Sequence, residues 1–333
     1  MLMLFILLTL VMLLYLLGPK APLPSFNADI PTLSIPLNKL DAHIAKQEAL
    51  IKDIKPNNQA RIVWASDILK KSPAKTSYSI VYLHGFSASP LESDPVIFDI
   101  AKKFGFNLYI PRLADHGRSS IESFKDLTGD QLILSAKKAL AIGQLIGEKV
   151  IVISCSTGST LSSYLAAENP TSTFAMVMYS PNFGLHDGRS KLMAMPWGLQ
   201  LAKKIFGGNY RNIKMESGAQ PFWTTKYRIE GLVNLIPLLN KTMTDETFKK
   251  ITQPYLLAYY YEDEENCDKI ISVPKIRNFH KVSSTPHHLK REVPLATVKS
   301  HCISNKHQSK DWQSVYKATE DFFVQVLKLS PNS

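Results

Sequence analysis

The sequence predicts an α/β protein, with a mostly parallel central sheet flanked by helices, a helical insertion and an apolar N-terminal helix. Three observations predict it. From residue 60 onward, near-continuous runs of Val, Ile, Leu and Tyr alternate with stretches of helical periodicity, and such runs suit strands covered on both faces. Between Pro181 and Pro254 the alternation lapses into Met-, Trp- and Lys-rich sequence. Residues 2–17, "LMLFILLTLVMLLYLL", are apolar except for Thr9.

The N-terminal run comes first. At about 1.5 Å per residue it reaches about 25 Å, enough to span a thin hydrocarbon core. Residues 1–18 are therefore expected to be a single-pass transmembrane anchor, giving a membrane location. A secreted or periplasmic protein after signal cleavage is the alternative, although no Lys or Arg precedes the run and no small-x-small site follows it. Residues 19–59 then read as a Pro-rich spacer leading off the membrane, followed by an amphipathic helix. In "LNKLDAHIAKQEALIKDI", Leu37, Leu40, Ile44, Ile51 and Ile54 fall at helical spacing. Their apolar face is expected to pack on the body of the protein.

The remaining domain is 60–333. Strands are expected at "ARIVWAS", "YSIVYLHG", "FNLYIPRL", "KVIVISCS", "FAMVMYS", "PYLLAYYY" and "EVPLATVKS". Helices fit "DPVIFDIAKKFG", "TGDQLILSAKKALAIGQLIG", "GSTLSSYLAAEN", "VPKIRNFHKV" and "DWQSVYKATEDFFVQVLK". The stretch from 182 to about 250 contains helical pieces and no convincing strand, and reads as an insertion over the ligand-binding edge of the sheet.

Composition excludes several classes. A 45% hydrophobic and 20% charged chain of 333 residues is not disordered. The net charge of +11 comes from scattered Lys and Arg with no arginine-rich stripe, so no nucleic-acid partner is expected. Cys155, Cys267 and Cys302 are an odd number at irregular spacing, which fits neither a disulfide framework nor a C-x-x-C metal site.

The chemistry gathers at strand ends. In "SCSTGS", 154–159, an apolar strand turns through small residues into a helix, so the Ser156 hydroxyl projects from a tight turn. Such a turn needs small neighbours because the chain takes unfavourable backbone angles there. Gly158 meets that need, while Ser154 stands where a glycine would be simplest. "YLHGF", 82–86, ends an earlier strand in His84-Gly85, with His84 read as structural. After "PYLLAYYY" comes the acidic turn "EDEENCDKIISV", in which Asp268 precedes a helix entry and Asp263 is the alternative acid. The cluster lacks the spacing and central glycine of a calcium loop. "LATVKSHCIS" places His301 at the end of the last strand, and His280, His287, His288 and His307 read as surface residues.

The order Ser156, Asp268, His301, with "YLHGFSASP", "NLYIPRLADHGRSS", "VISCSTGST", "DKIISV" and "SHCIS", resembles the α/β-hydrolase superfamily. The likeness is to its monoacylglycerol lipase, carboxylesterase and serine-aminopeptidase-like branch, and covers residue 60 to the C-terminus. It implies a Ser156–His301–Asp268 triad, an oxyanion hole of the Phe86 and Thr157 backbone N–H groups, and an acyl-enzyme mechanism. Ser154, Asp115 and Ser159 depart from glycines usual in that branch.

The insertion at about 182–250 holds the place of the family's cap. Met195, Trp197 and Trp223 are its candidate substrate-pocket residues. The expected reaction is hydrolysis of a small-molecule or lipid carboxylic ester by a membrane-anchored enzyme, without metal or cofactor; the oligomeric state is open. A serine peptidase of the same fold and a catalytically impaired binding protein are the alternatives. Each cysteine adjoins one triad residue, which raises oxidation as a modulator beside the simpler reading of small packing residues.

Overall fold

The computed structural model describes residues 1–332. The apolar run forms helix α1, Leu2–Leu16, with no buried residue. Its 15 residues reach about 22 Å, against a hydrocarbon core of about 30 Å. Leu17, Gly18 and Pro19 end it, and Trp197 ties down the exit by donating its N–H to Pro19 O (2.8 Å) and its indole N–H to Leu14 O (3.2 Å). Among the described residues no helix is long and apolar enough to cross a membrane. The expected anchor over 1–18, and the membrane location that rested on it, are therefore corrected.

Residues 17–36 contain no regular element, yet they do not lead away from the body. The Ser25 N–H and hydroxyl donate to Asp130 (both 2.8 Å), and the Lys137 ammonium donates to the Asn27 side chain (2.7 Å). Tyr164 donates to Phe26 O and Asn169 to Ala28 O. Phe26, Ile30, Leu33 and Ile35 pack on the core. This segment is a strap. Helix α2, Leu37–Ala49, buries Leu40 and Ile44 as the pattern predicts. It stops before Ile51, which is exposed, and Ile54, which bridges to Arg118.

The domain then runs β1 (Arg61–Val63), α3 (Asp67–Lys71), β2 (Thr76–Leu83), α4 (Val96–Phe104), β3 (Asn107–Ile110), α5 (Gly129–Ile146), β4 (Gly147–Cys155), α6 (Thr157–Glu168) and β5 (Ala175–Tyr179). Residues 182–250 contribute α7 (Gly198–Phe206), β6 (Tyr210–Asn212), β7 (Lys226–Arg228), α8 (Ile229–Thr242) and α9 (Asp245–Lys249). After them come β8 (Tyr255–Tyr260), α10 (Val273–Val282), β9 (Lys290–Leu295) and α11 (Trp312–Asp321). The short antiparallel pair β6–β7 was not expected from sequence.

The main sheet has seven strands in the order β1-β3-β2-β4-β5-β8-β9, all parallel except β1. Along β4, Val150 and Val152 join one core while Ile151, Ile153 and Cys155 join the other. That division is why the run is apolar without alternation. One face is covered by α5, α6 and α10; the other is covered by α4 and α11. Local chemistry sets the helix ends. Thr128 and Gln131 form a capping box on α5, and Gly105 in the left-handed region (φ 66°) stops α4.

Register positions the site. Leu83, Ser154, Met178, Leu257 and Glu292 lie in one row across five parallel strands. The chain segments that follow them therefore emerge at a single edge, the carboxyl edge where open α/β sheets place ligands.

Candidate active site

Ser156 stands between β4 and α6 at φ 50°, ψ −115°. A non-glycine residue there carries strain of about 1–3 kcal/mol, which the surroundings must hold in place. They do so through the backbone. Its N–H donates to Tyr179 O (3.0 Å), while its carbonyl accepts from Ser159 N–H (2.9 Å) and Asn182 N–H (3.1 Å). Gly158 is required for packing, since a Cβ on it would overlap the Leu83 carbonyl oxygen. Ser154, by contrast, fits. Its hydroxyl bonds to those of Ser159 (3.0 Å) and Ser162 (3.2 Å), so "GSTLSS" supplies a polar bed for the side chain a glycine would lack.

His301 and Asp268 meet. His301 Nδ1 lies 2.6 Å from Asp268 Oδ2, and Asp268 Oδ1 accepts the N–H groups of Ile270 (2.8 Å) and Ile271 (3.3 Å). Burial alone would raise the Asp268 pKa. The His301 charge and these three hydrogen bonds prevail and hold it below the ordinary aspartate value. Burial likewise works against a charged imidazole, but Asp268, with Glu92 adding to it, lifts His301 above the ordinary histidine value. Asp263, the alternative acid, is engaged in a surface turn with Asn266. His280 pairs with Tyr255 away from this centre.

The end of β5 joins the two halves of the site. The Ser180 hydroxyl donates to His301 O (2.7 Å), one residue from the Tyr179 carbonyl that receives the Ser156 N–H. Among the described residues Ser156 Oγ makes no hydrogen bond. Nucleophile–base contacts of this kind are often loose without substrate and tighten when it binds. The Phe86 and Thr157 N–H groups also donate to no acceptor among the described residues, one following β2 and the other opening α6.

The Gly85–Phe86 peptide is firmly held. Its carbonyl receives His84 Nδ1–H (2.9 Å) and Ala88 N–H (3.3 Å), and His84 Nε2 in turn accepts the Leu113 N–H (3.0 Å). Burial, then neighbouring His116, keeps the His84 pKa well below the ordinary value. His84 is thus a neutral strut. The Phe86 ring packs against His116, Phe124 and Tyr227.

Tyr227 belongs to β7, so the 182–250 segment rests on this loop. Thr224 N–H donates to Ser87 O (2.7 Å), and Trp223, 3% exposed, packs with Ala88 and Cys302. Met195 and Trp197 are elsewhere: both are half exposed, and their side-chain polar contacts are with Tyr15 and Leu14 of α1. All three cysteines are buried and free. Burial first, and the negative charge of Glu92 second, push the Cys155 and Cys302 thiols up, so neither is a reactive thiolate. Glu92 escaped sequence reasoning because "PLESDP" reads as a solvated polar turn. The only signal was a carboxylate seven residues after the glycine of the His-Gly pair.

A parallel sheet with a strained serine at the β4–α6 turn, and an Asp–His pair beyond β8 and β9, defines the α/β-hydrolase fold. No family model and no curated protein sequence matches the chain. Solved structures do. They include a structure described under LipS and LipT, two metagenome-derived lipolytic enzymes (TM-score 0.63, 12% identity, 81% of this chain and 98% of that one). A monoacylglycerol lipase of Paleococcus ferrophilus aligns at TM-score 0.54 with 13% identity, over 75% of this chain and 97% of that one. Est1E of Butyrivibrio proteoclasticus, bound to ferulic acid, aligns at 0.52 with 16% identity, over 81% and 95%. At such identities the likeness is one of fold.

Proposed function

We propose that this protein is a serine hydrolase that cleaves carboxylic esters, of the monoacylglycerol lipase and carboxylesterase kind. The observation that carries the reading is Ser156 held at φ 50° at the head of α6, with the Asp268–His301 pair tied to the same β5 loop. A hydroxyl costs its setting this much strain where it must stand free for attack. The solved lipases and esterases of like fold lend support.

In this reading neutral His301 takes the Ser156 proton as Oγ attacks the ester carbonyl. Asp268 fixes the imidazole tautomer and stabilises its charged form. The Phe86 and Thr157 N–H groups receive the developing oxyanion, each worth on the order of 3 kcal/mol in the transition state. His301 then gives its proton to the leaving alcohol, and water attacks the acyl-enzyme by the same route. The 182–250 segment acts as a cap, and the apolar side chains of Phe86, Phe124, Trp223 and Tyr227 beside the oxyanion loop favour an apolar acyl group.

A fluorophosphonate probe tests the nucleophile. Wild type is expected to label and Ser156→Ala not to; an unlabelled wild type, or a labelled Ser156→Ala, overturns the reading. Across p-nitrophenyl esters, kcat/KM is expected to be higher for octanoate than for acetate, and the reverse order overturns the apolar acyl site.

A further inference from the structure

Resting on the serine-hydrolase reading, we propose that Glu92 is a positioning residue of the oxyanion hole: its buried carboxylate grips the Gly85 N–H and so aims the Phe86 N–H at the substrate carbonyl. Glu92 is 2% exposed and lies in the loop between β2 and α4. Its Oε2 accepts the Gly85 N–H at 2.7 Å, and a hydrogen bond to a carboxylate is stronger than one between neutral groups. Gly85 is wedged between this carboxylate and the nucleophile. A Cβ there would lie 2.8 Å from Glu92 Oε1 and 3.2 Å from Ser156 Cβ.

The wedge matters because glycine is the residue most free to rotate its flanking peptides. Two peptides meet at Gly85. The following one, Gly85–Phe86, is fixed through its carbonyl by His84 and Ala88; being trans and planar, it points the Phe86 N–H the opposite way. The preceding one, His84–Gly85, has only Glu92, among the described residues, to hold its N–H. With both ends fastened, Gly85 has one conformation and the Phe86 donor one direction. A pre-aimed donor stabilises charge without reorganising during the reaction.

Glu92 is itself anchored. Tyr82 OH donates to the same Oε2 at 2.7 Å, and the Ser93 hydroxyl donates to Tyr82 and pairs with that of Ser304 (2.6 Å each). The Asn305 amide donates to Glu92 O (2.8 Å). Ser304 and Asn305 follow His301 within four residues, so the carboxylate shares one buried network with the loop that carries the base. Its charge also favours the protonated imidazole, helping to raise the His301 pKa.

The test compares Glu92→Leu, Glu92→Asp and Glu92→Gln in the full chain by kcat, KM, fluorophosphonate labelling rate and melting temperature. Removing the acceptor in Glu92→Leu, or drawing it back by a methylene in Glu92→Asp, is expected to lower kcat about 10- to 100-fold, with KM within about threefold. Labelling should slow in step. Glu92→Gln keeps an oxygen for the Gly85 N–H and is expected to stay within about fivefold of wild type. Ser79→Ala removes a buried hydrogen bond to Gly143 O in the middle of β2, and is expected to lower stability while kcat holds.

Wild-type kcat in folded Glu92→Leu or Glu92→Asp overturns the inference. So does a loss in Glu92→Gln as large as in Glu92→Leu, or an equal kcat loss in Ser79→Ala. If Glu92→Leu does not fold, Glu92→Asp and Glu92→Gln decide. Failure of the serine reading is separate, since wild type would then not label, or Ser156→Ala would.

Discussion

Asp268 Oδ2 sits 2.6 Å from His301 Nδ1, and the other carboxylate oxygen is fixed by two backbone N–H groups. Asp268→Asn should therefore change both the tautomer and the basicity of His301. An amide can present a donor to Nδ1, leaving the proton on the wrong nitrogen, and kcat for p-nitrophenyl butyrate is expected to fall on the order of 10⁴-fold. In the proposed mechanism the base must be neutral to act, so activity is expected to rise with pH through the raised His301 pKa. Without the Asp268 charge that pKa drops, and the acidic limb of kcat/KM is expected to move to lower pH. A pH–rate profile whose limb stays in place contradicts this.

The two small residues flanking Ser156 should behave oppositely. Ser154 is not a compromised glycine but a partner for Ser159 and Ser162, so Ser154→Ala is expected to cost about 1 kcal/mol of stability and leave kcat within a few-fold. Gly158 has no such latitude, because any Cβ would overlap a backbone carbonyl of β2. Gly158→Ala is expected to displace α6 from β2 and abolish fluorophosphonate labelling. Urea unfolding and labelling on the two variants check both statements, and a stable, labelled Gly158→Ala would overturn the second.

Why Ser154 looked like damage and proved a fitting is instructive about what the sequence carries. The central strands β2, β4, β5 and β8 were legible because burial on both faces writes a continuous apolar run; Ser156 and Asp268 stood out as candidates because each follows such a run, and His301 because it follows the edge strand β9. Three-residue strands such as β6 and β7 are specified by packing and carry no period. The end of α2 at Ala49 was hidden because Ile51 and Ile54 keep the helical spacing although the helix has stopped. α1 was over-read because apolar length was counted through Leu17, while the helix ends one residue earlier and its exit is bonded to Trp197. Glu92 was invisible for a different reason: a buried carboxylate is set by partners distant in sequence, here Tyr82 and Gly85 across a loop.

The buried pair His84 and His116, with ring centroids 5.1 Å apart, sets an acid limit on the fold. Burial, reinforced by Arg112, carries the His116 pKa down to about 4. An imidazole with a lower pKa folded than unfolded binds fewer protons folded, so its contribution is full above about 6.5 and is lost as pH falls toward about 4. At about 1.36 kcal/mol per pH unit this amounts to on the order of 3 kcal/mol for His116. Glu92, whose pKa burial raises, acts with the opposite sign in part of that window. A difference measurement is therefore needed. In His116→Asn, whose amide can replace the Nδ1–H donated to Ala114 O, stability is expected to lose less between pH 6.5 and pH 4 than in wild type, by on the order of 3 kcal/mol. Parallel urea curves across that range would contradict it.

Two truncations separate the roles of the N-terminal segments. α1 buries none of its own residues and touches the body through Trp197 and Met195, both half exposed. Removing residues 1–16 is expected to change stability by less than about 1 kcal/mol. Removing 1–36 takes the strap as well. Lys137, 8% exposed, then loses both the carbonyl and the side-chain oxygen of Asn27, hydrogen bonds to a charged group worth about 1.5–3 kcal/mol each. The apolar contacts of Phe26, Ile30, Leu33 and Ile35 go with it. At about 1.5 °C per kcal/mol for a domain of about 300 residues, the melting temperature is expected to fall by about 5 °C or more. Equal melting temperatures for the two truncations would mean that the strap contributes nothing, and Asn27→Ala in the full chain, expected to lose about 1–3 kcal/mol, isolates the Lys137 share.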